Sequence, residues 1–169
     1  MLSYWCVVSQ LDVTKPIKRV GIIPYTLIGK KILLCLGQDR VHKEFTDFGG
    51  GYSSRRDIHP AHCAVRELRE ESLEVFTLKV DEILNDNCIV CDGNIIVFHR
   101  IDYSVAKNIA EDFHQKLLSH STDEVECDDI QWIGLAELHS YIDHERIYKK
   151  VADILLDCMG DIVMKIKKS

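Results

Sequence analysis

The sequence predicts a mixed α+β domain, and three observations carry that expectation. Apolar, β-branched runs fill the first third of the chain and return near its middle. Two of the junctions between such runs are turn dipeptides, Gly29-Lys30 and Asp92-Gly93. Segments with helical periodicity lie between and after the strands, the order that separates α+β from alternating α/β chains. At 169 residues the chain fits one domain spanning 1–169, long enough to bury a core.

In order, 18–27 and 31–36 read as a β-hairpin across Gly29-Lys30. The polar stretch 38–44 reads as a loop. Thr46-Asp47-Phe48 leads into Gly49-Gly50-Gly51, the strongest signal of backbone freedom in the chain. Pro60 suits a first helical turn, so a helix is expected over 60–72. Residues 88–91 and 94–101 flank Asp92-Gly93 as a second hairpin. An amphipathic helix is expected over 105–119, with Ile109, Phe113 and Leu117 inward. A short strand follows at 129–134. A last amphipathic helix over 147–158 turns Val151, Ile154 and Leu155 to the core.

Acidic residues outnumber basic ones, 27 against 21, for a net charge of -6. That argues against a protein that coats duplex DNA through Lys and Arg. A nucleotide or RNA substrate stays compatible, because a divalent cation reverses the sign of an acidic pocket. No apolar run approaches the roughly 20 residues that span a bilayer, and Met1-Leu2-Ser3-Tyr4 opens without a basic n-region. The seven cysteines, an odd number, sit mostly in apolar stretches. Core thiols in a reducing, cytoplasmic setting are therefore expected. Cys88 and Cys91 lack a second pair, so zinc is not expected.

The informative stretch runs from Gly49 to Ser72. On a helical wheel Ala61, Ala64, Val65, Leu68 and Ser72 share the packing arc, while Glu67, Glu70 and Glu71 share another at i, i+3 and i+4. Three carboxylates on one arc repel one another, and hard oxygen donors so grouped suit Mg²⁺ or Mn²⁺. A solvated face tied by ion pairs would look the same in isolation. The glycine-rich stretch upstream tips the balance, because it can bring backbone amides to phosphate oxygens at a helix start. His59 and His62 are expected to cap that helix and face solvent. Cys63 is expected to pack rather than attack.

Arg66-Glu67-Leu68-Arg69-Glu70-Glu71 resembles the second half of the Nudix hydrolase box: Gly, five residues, Glu, seven residues, Arg-Glu-aliphatic-any-Glu-Glu-any-Gly-aliphatic. The chain departs from it in three places. From Gly51, five residues lead to Asp57 instead of Glu, and eight then lead to Arg66; the late Gly falls on Leu73, or on Glu74 if one extra residue is allowed. Gly21-Ile22-Ile23-Pro24-Tyr25, Asp47-Phe48-Gly49-Gly50 and Asp129-Ile130-Gln131-Trp132 also resemble family segments, so the likeness is clearest over 18–140. It implies an α/β/α sandwich around a mixed sheet and a pyrophosphohydrolase acting on a nucleoside diphosphate linked to another group. The alternative of another class is a non-catalytic Nudix-fold sensor.

The resemblance implies that Glu67, Glu70 and Glu71 hold Mg²⁺ or Mn²⁺, that Arg66 orients Glu67, and that the first box carboxylate, here Asp57, tethers loop to helix. Gly50 and Gly51 would let a diphosphate approach, with Arg55, Arg56 and Arg40 as phosphate or base contacts. A general base would come from the acidic segment 121–129, Glu124 ranked first and Glu126 second. The partners implied are a nucleotide-type small molecule or a capped RNA end, without duplex DNA or membrane. A homodimer is compatible with the reading.

Overall fold

A computed structural model of the chain describes residues 6–8 and 16–167. Strands β2 (Arg19–Ile28) and β3 (Lys31–Asp39) form the first hairpin, with Ile28 opposite Lys31. Gly29 takes φ 60° in the turn between them, the left-handed region that glycine enters without a Cβ penalty. Strands β6 (Asn87–Cys91) and β7 (Asn94–Arg100) form the second. There Asp92 and Gly93 take φ 47° and 80°, the two positive values of a type I′ turn.

The sheet runs β1 (Cys6–Val8), β6, β7, β2, β3, β4 (Phe45–Thr46), with β2 parallel to β7 and the other pairs antiparallel. Strands β2 and β3 pair only near their turn, through Tyr25–Ile28 and Lys31–Leu34. Beyond it they part, and the chain at 45–51 fills the fork. There β4 pairs with β3, while β5 (Phe48–Gly51) pairs with Arg19–Ile22 of β2. Strand β8 (Cys127–Gly134) lies along the far side of β3.

Alternation along the strands sends side chains to two cores. On one face Val20, Ile22, Cys35 and Val97 pack with helices α1 (Pro60–Glu71), α3 (Tyr103–Leu117) and the single turn α2 (Val80–Ile83). On the other, Ile23, Leu34, Leu36 and Phe98 pack with α4 (Leu135–Asp143) and α5 (Lys149–Ile166). The result is the expected α/β/α sandwich around a mixed sheet.

Several local expectations change. Gln38 and Asp39 complete β3 and do not belong to the loop. Residues 49–51 form a paired strand, not a flexible loop, because β2 offers them an open edge in the fork. The last helix continues through Gly160 to Ile166, where Ile162 and Ile166 keep the apolar stripe going. Helix α3 starts two residues early, since Asp102 accepts the Ser104 N–H at 2.7 Å and caps it. Among the described residues no helix is long and apolar enough to cross a membrane.

Candidate functional site

The box helix begins where the sequence places it. His59 precedes it and its Nδ1 accepts the Ala61 N–H at 3.1 Å, while His62 faces solvent. Ala61, Ala64, Leu68 and Ser72 are fully buried and fix the helix against the sheet. The next arc is the unusual one. Glu67 and Glu71 are buried as well, at 8% and 9% exposure, and both face β5.

Two glycines explain that proximity. The Gly49 N–H donates to Glu71 Oε2 at 2.9 Å. Gly50 lies under Glu67 so closely that a Cβ would stand 2.5 Å from its carboxylate. Neither glycine has a positive φ; the need is for space, not for backbone freedom. Gly51 differs, with nothing within 4 Å of where a Cβ would point. Of the amides expected to reach a phosphate, that of Gly49 thus serves a carboxylate.

Arg66 ties the arc to the preceding loop. Its Nε and Nη2 donate to Asp57 at 3.1 and 3.2 Å, and Nη1 donates to Glu67 at 2.7 Å and Glu70 at 3.2 Å. Burial pushes the Asp57 carboxyl up, but the Arg66 guanidinium outweighs it and holds the group below its usual range. Burial opposes the Arg66 charge too, and Asp57 and Glu67 more than compensate, so it stays protonated. Asp57 therefore spans loop and helix with a side chain one methylene shorter than Glu.

Glu71 behaves differently. Burial, and then the charge of Asp47, push its carboxyl up to about 9 against the pull of the Gly49 amide; Glu126 and Glu67 add to the rise. No cationic side chain pairs with Glu71 among the described residues. A buried carboxylate so placed is relieved by a proton or by a cation.

The remaining expected residues scatter around this pair. Glu70 is exposed and shares Arg66 Nη1 with Glu67, so it stands at the solvent side of the buried pair. Among the described residues no group of three or more His, Cys, Asp or Glu stands close enough to share an ion. Glu67 and Glu71 point inward because their side of α1 meets the glycine strand, while Glu70 lies past its edge. Two hard carboxylates still fit Mg²⁺, an ion that keeps several waters and takes one or two protein carboxylates plus substrate phosphates.

Arg55 and Arg56 are exposed in the box loop, and Arg56 Nη2 donates to the Gly51 carbonyl at 3.0 Å. Arg40 Nε donates to the Val125 carbonyl at 3.1 Å and its N–H to that of Glu126 at 2.9 Å, so it holds the acidic segment in place. Glu124 is exposed in a 3₁₀ turn, accepts the Ser121 N–H at 3.3 Å, and lines a groove of about 850 Å³ with Glu70, Arg69 and Lys116. Glu126 is exposed and close enough for its charge to raise Glu71. Cys63 is buried, and burial above all, then Asp57, pushes its thiol up to about 11, the wrong direction for a nucleophile.

Sequence reasoning misses Arg19 and Asp47. Asp47 is fully buried and receives Arg19 Nη1 and Nη2 at 2.7 and 2.9 Å; Nη2 also donates to the Gly49 carbonyl at 3.1 Å. The available signal is Asp47 standing between Phe45-Thr46 and the glycine-rich strand that starts at Phe48. Its partner lies 28 residues away, and only the pairing of β5 with β2 brings them together.

No protein-family model matches the sequence, and no curated protein matches it. Solved structures do. The NUDIX domain of Shewanella oneidensis NrtR, complexed with ADP ribose, is 10% identical with a TM-score of 0.53, over 89% of this chain and 90% of that one. NrtR from the same organism, complexed with a 27mer DNA, is 12% identical with a TM-score of 0.50, over 88% of this chain and 63% of that one. A C. elegans Ap4A hydrolase is 18% identical with a TM-score of 0.48, over 89% and 96%. At such identities the likeness is one of architecture: this chain has the fold of a Nudix domain.

Proposed function

We propose that the chain, acting as one domain, is a divalent-cation-dependent pyrophosphohydrolase. It would cleave the diphosphate linkage of a nucleoside diphosphate joined to another group. The observation that carries this reading is the buried pair Glu67 and Glu71, fitted against Gly50 and Gly49, with no direct ion pair to Glu71 among the described residues. A Nudix-fold neighbour bound to ADP ribose supports a substrate of this class.

Glu67 and Glu71 would hold Mg²⁺ or Mn²⁺, with exposed Glu70 alongside. When bound, the cation neutralises diphosphate charge and lowers the pKa of an attacking water. Arg66 keeps Glu67 in one orientation, and Asp57 keeps Arg66 there. The open surface at Gly51 leaves room for the diphosphate, with Arg55 and Arg56 on the adjoining loop. Arg40 braces the segment that would supply the base, through the Val125 and Glu126 carbonyls.

A phosphate-release screen over nucleotide diphosphates, with Mg²⁺, Mn²⁺ or EDTA, tests the reading. Hydrolysis that requires the cation is expected. Ligand binding without turnover under every condition would support the sensor reading instead, which the pairing of Glu70 with Arg66 and the absence of a three-acid cluster among the described residues favour.

A further inference from the structure

We infer that the end of the sheet remote from the candidate site is a docking groove for an acidic, aliphatic segment of a partner protein. The inference is independent of the hydrolase reading. The site sits at the Arg19 end of β2; Ile28, at the other end, lies about 30 Å further on at roughly 3.3 Å per residue. Two hollows of about 340 and 390 Å³ open there and share Lys30, Ile32 and Lys167.

Their floor is aliphatic, with Leu27, Leu33, Leu135 and Val163 half-buried around Ile32. Ile28 is exposed beside it. The rim is basic. Lys30, Lys31 and Lys167 are exposed and form no ion pair among the described residues. The acidic side chain in the lining, Glu137, is turned to the Gly134 N–H at 3.4 Å. Lys167 at the end of α5 favourably meets that helix's carbonyl end, but Lys30 and Lys31 stand on a hairpin and have no such role.

On a chain of net charge -6, such a patch orients an acidic partner, because the rest of the surface repels it. The alternatives fit less well. Among the described residues no aromatic ring lines either hollow, and sequence-tolerant nucleic-acid binding relies on such rings for stacking. A bilayer presents a flat face, and this floor is recessed. A peptide with acidic residues for the lysines and aliphatic side chains for the hollows matches both features. Its affinity would be modest, as for small transient interfaces.

The test titrates the full chain with short synthetic peptides alternating Glu and Leu, and in parallel with oligoadenylate RNA and phosphatidylserine vesicles. Saturable peptide binding is expected, with amide shifts at Ile32, Leu33 and Val163. Changing Lys30, Lys31 and Lys167 together to Glu should weaken it about tenfold or more, and replacing Leu by Ser in the peptide should weaken it too. A set with the same lysines changed to Gln, checked by thermal melting, guards against misfolding and should weaken binding by a smaller factor. The proposal is overturned by absent peptide binding, by shifts elsewhere, by variants that bind as well as the parent, or by RNA or vesicles outcompeting the peptide at these residues.

Discussion

Arg19 and Asp47 form a two-pronged ion pair at 2.7 and 2.9 Å, with Asp47 fully buried, at the point where β2 meets the glycine strand. The same guanidinium holds the Gly49 carbonyl, and the Gly49 amide holds Glu71. A chain of contacts thus runs from β2 through β5 to α1. Removing one partner strands a buried charge, which costs about 3–5 kcal/mol. Arg19→Met should therefore lower stability by that order in denaturant unfolding. The double change Arg19→Met/Asp47→Leu should recover part of it. Gly21→Ala should also destabilise, because its methyl would overlap the Asp47 carboxylate. A near-neutral Arg19→Met would show that Asp47 finds another partner or takes up a proton.

Glu71 makes stability depend on pH. Its carboxyl, ordinarily near 4.5, is raised to about 9 in the fold by burial and by Asp47. Between those values the folded chain holds a proton that the unfolded chain has released, so stability falls as pH rises through this window. Metal-free protein should melt at lower temperature at pH 8.5 than at pH 5.5, and Glu71→Gln should flatten that slope. Mg²⁺ or Mn²⁺ should raise the parent's melting point most at the alkaline end, where no proton competes. The same variant should lose about 10²-fold or more in turnover if the cation supplies several kcal/mol of charge stabilisation. Equal melting points for parent and variant across the range would contradict the assignment.

Gly50→Ala separates chemistry from folding. The added Cβ would sit 2.5 Å from the Glu67 carboxylate, which must swing away. If Glu67 holds the cation as proposed, activity should fall by about tenfold or more, because misplacing such a group by about an ångström is costly. Gly51→Ala meets open space, so it should be tolerated in stability measurements.

The late glycine of the box shows which parts of the site can be read from sequence. Leu73 and Glu74 occupy its position, and both take left-handed φ, 52° and 61°. Lys116 Nζ donates to both of their carbonyls at 3.0 Å, and Arg69 grips Glu74 at 2.6 Å. The left-handed bend survives without glycine because contacts from α3 and α1 hold it. Glu74→Gly should exceed Glu74→Ala in stability by about 1 kcal/mol, both having lost the Arg69 pair, because only the alanine keeps the Cβ clash. Equal stabilities would show that the bend carries no strain.

Local chemistry was the legible part. The turns at Gly29-Lys30 and Asp92-Gly93 and the packing face of α1 follow from residues within a few positions of one another, and the Arg66 to Glu67 contact from the box likeness. The Asp57 tether follows from the box likeness. What stayed hidden depends on distant pairing. The strand character of 49–51 requires the fork between β2 and β3. Arg40 reaches Val125 across 85 residues. That Glu67 and Glu71 are buried while Glu70 is exposed depends on where β5 runs, which no periodicity reports.

The general base is the last point that mutation can decide. A base must reach the attacking water while remaining able to exchange its proton, which favours an exposed carboxylate at a strand end. The likeness to sequences in which Glu-aliphatic precedes the tryptophan strand ranks Glu124 ahead of Glu126. The structure supplies a reason for the reverse preference: Glu126 is near enough to Glu71 for its charge to raise that carboxyl, whereas Glu124 is turned back to the Ser121 amide at the start of its own 3₁₀ turn. The Ser121 hydroxyl, and then its amide, hold the Glu124 carboxyl below its ordinary range, making it a weaker base. Glu126→Gln should lower kcat by about 10²-fold or more while Mn²⁺ binding, followed by calorimetry, stays within a few fold. Glu124→Gln should leave kcat nearly intact. If Glu124→Gln is instead the inactive one, the 3₁₀ turn must unwind when substrate binds, and protection of the Glu124 amide from hydrogen exchange should then fall on adding substrate. If both variants keep full kcat while Glu67→Gln and Glu71→Gln are dead, the base lies on the box helix itself.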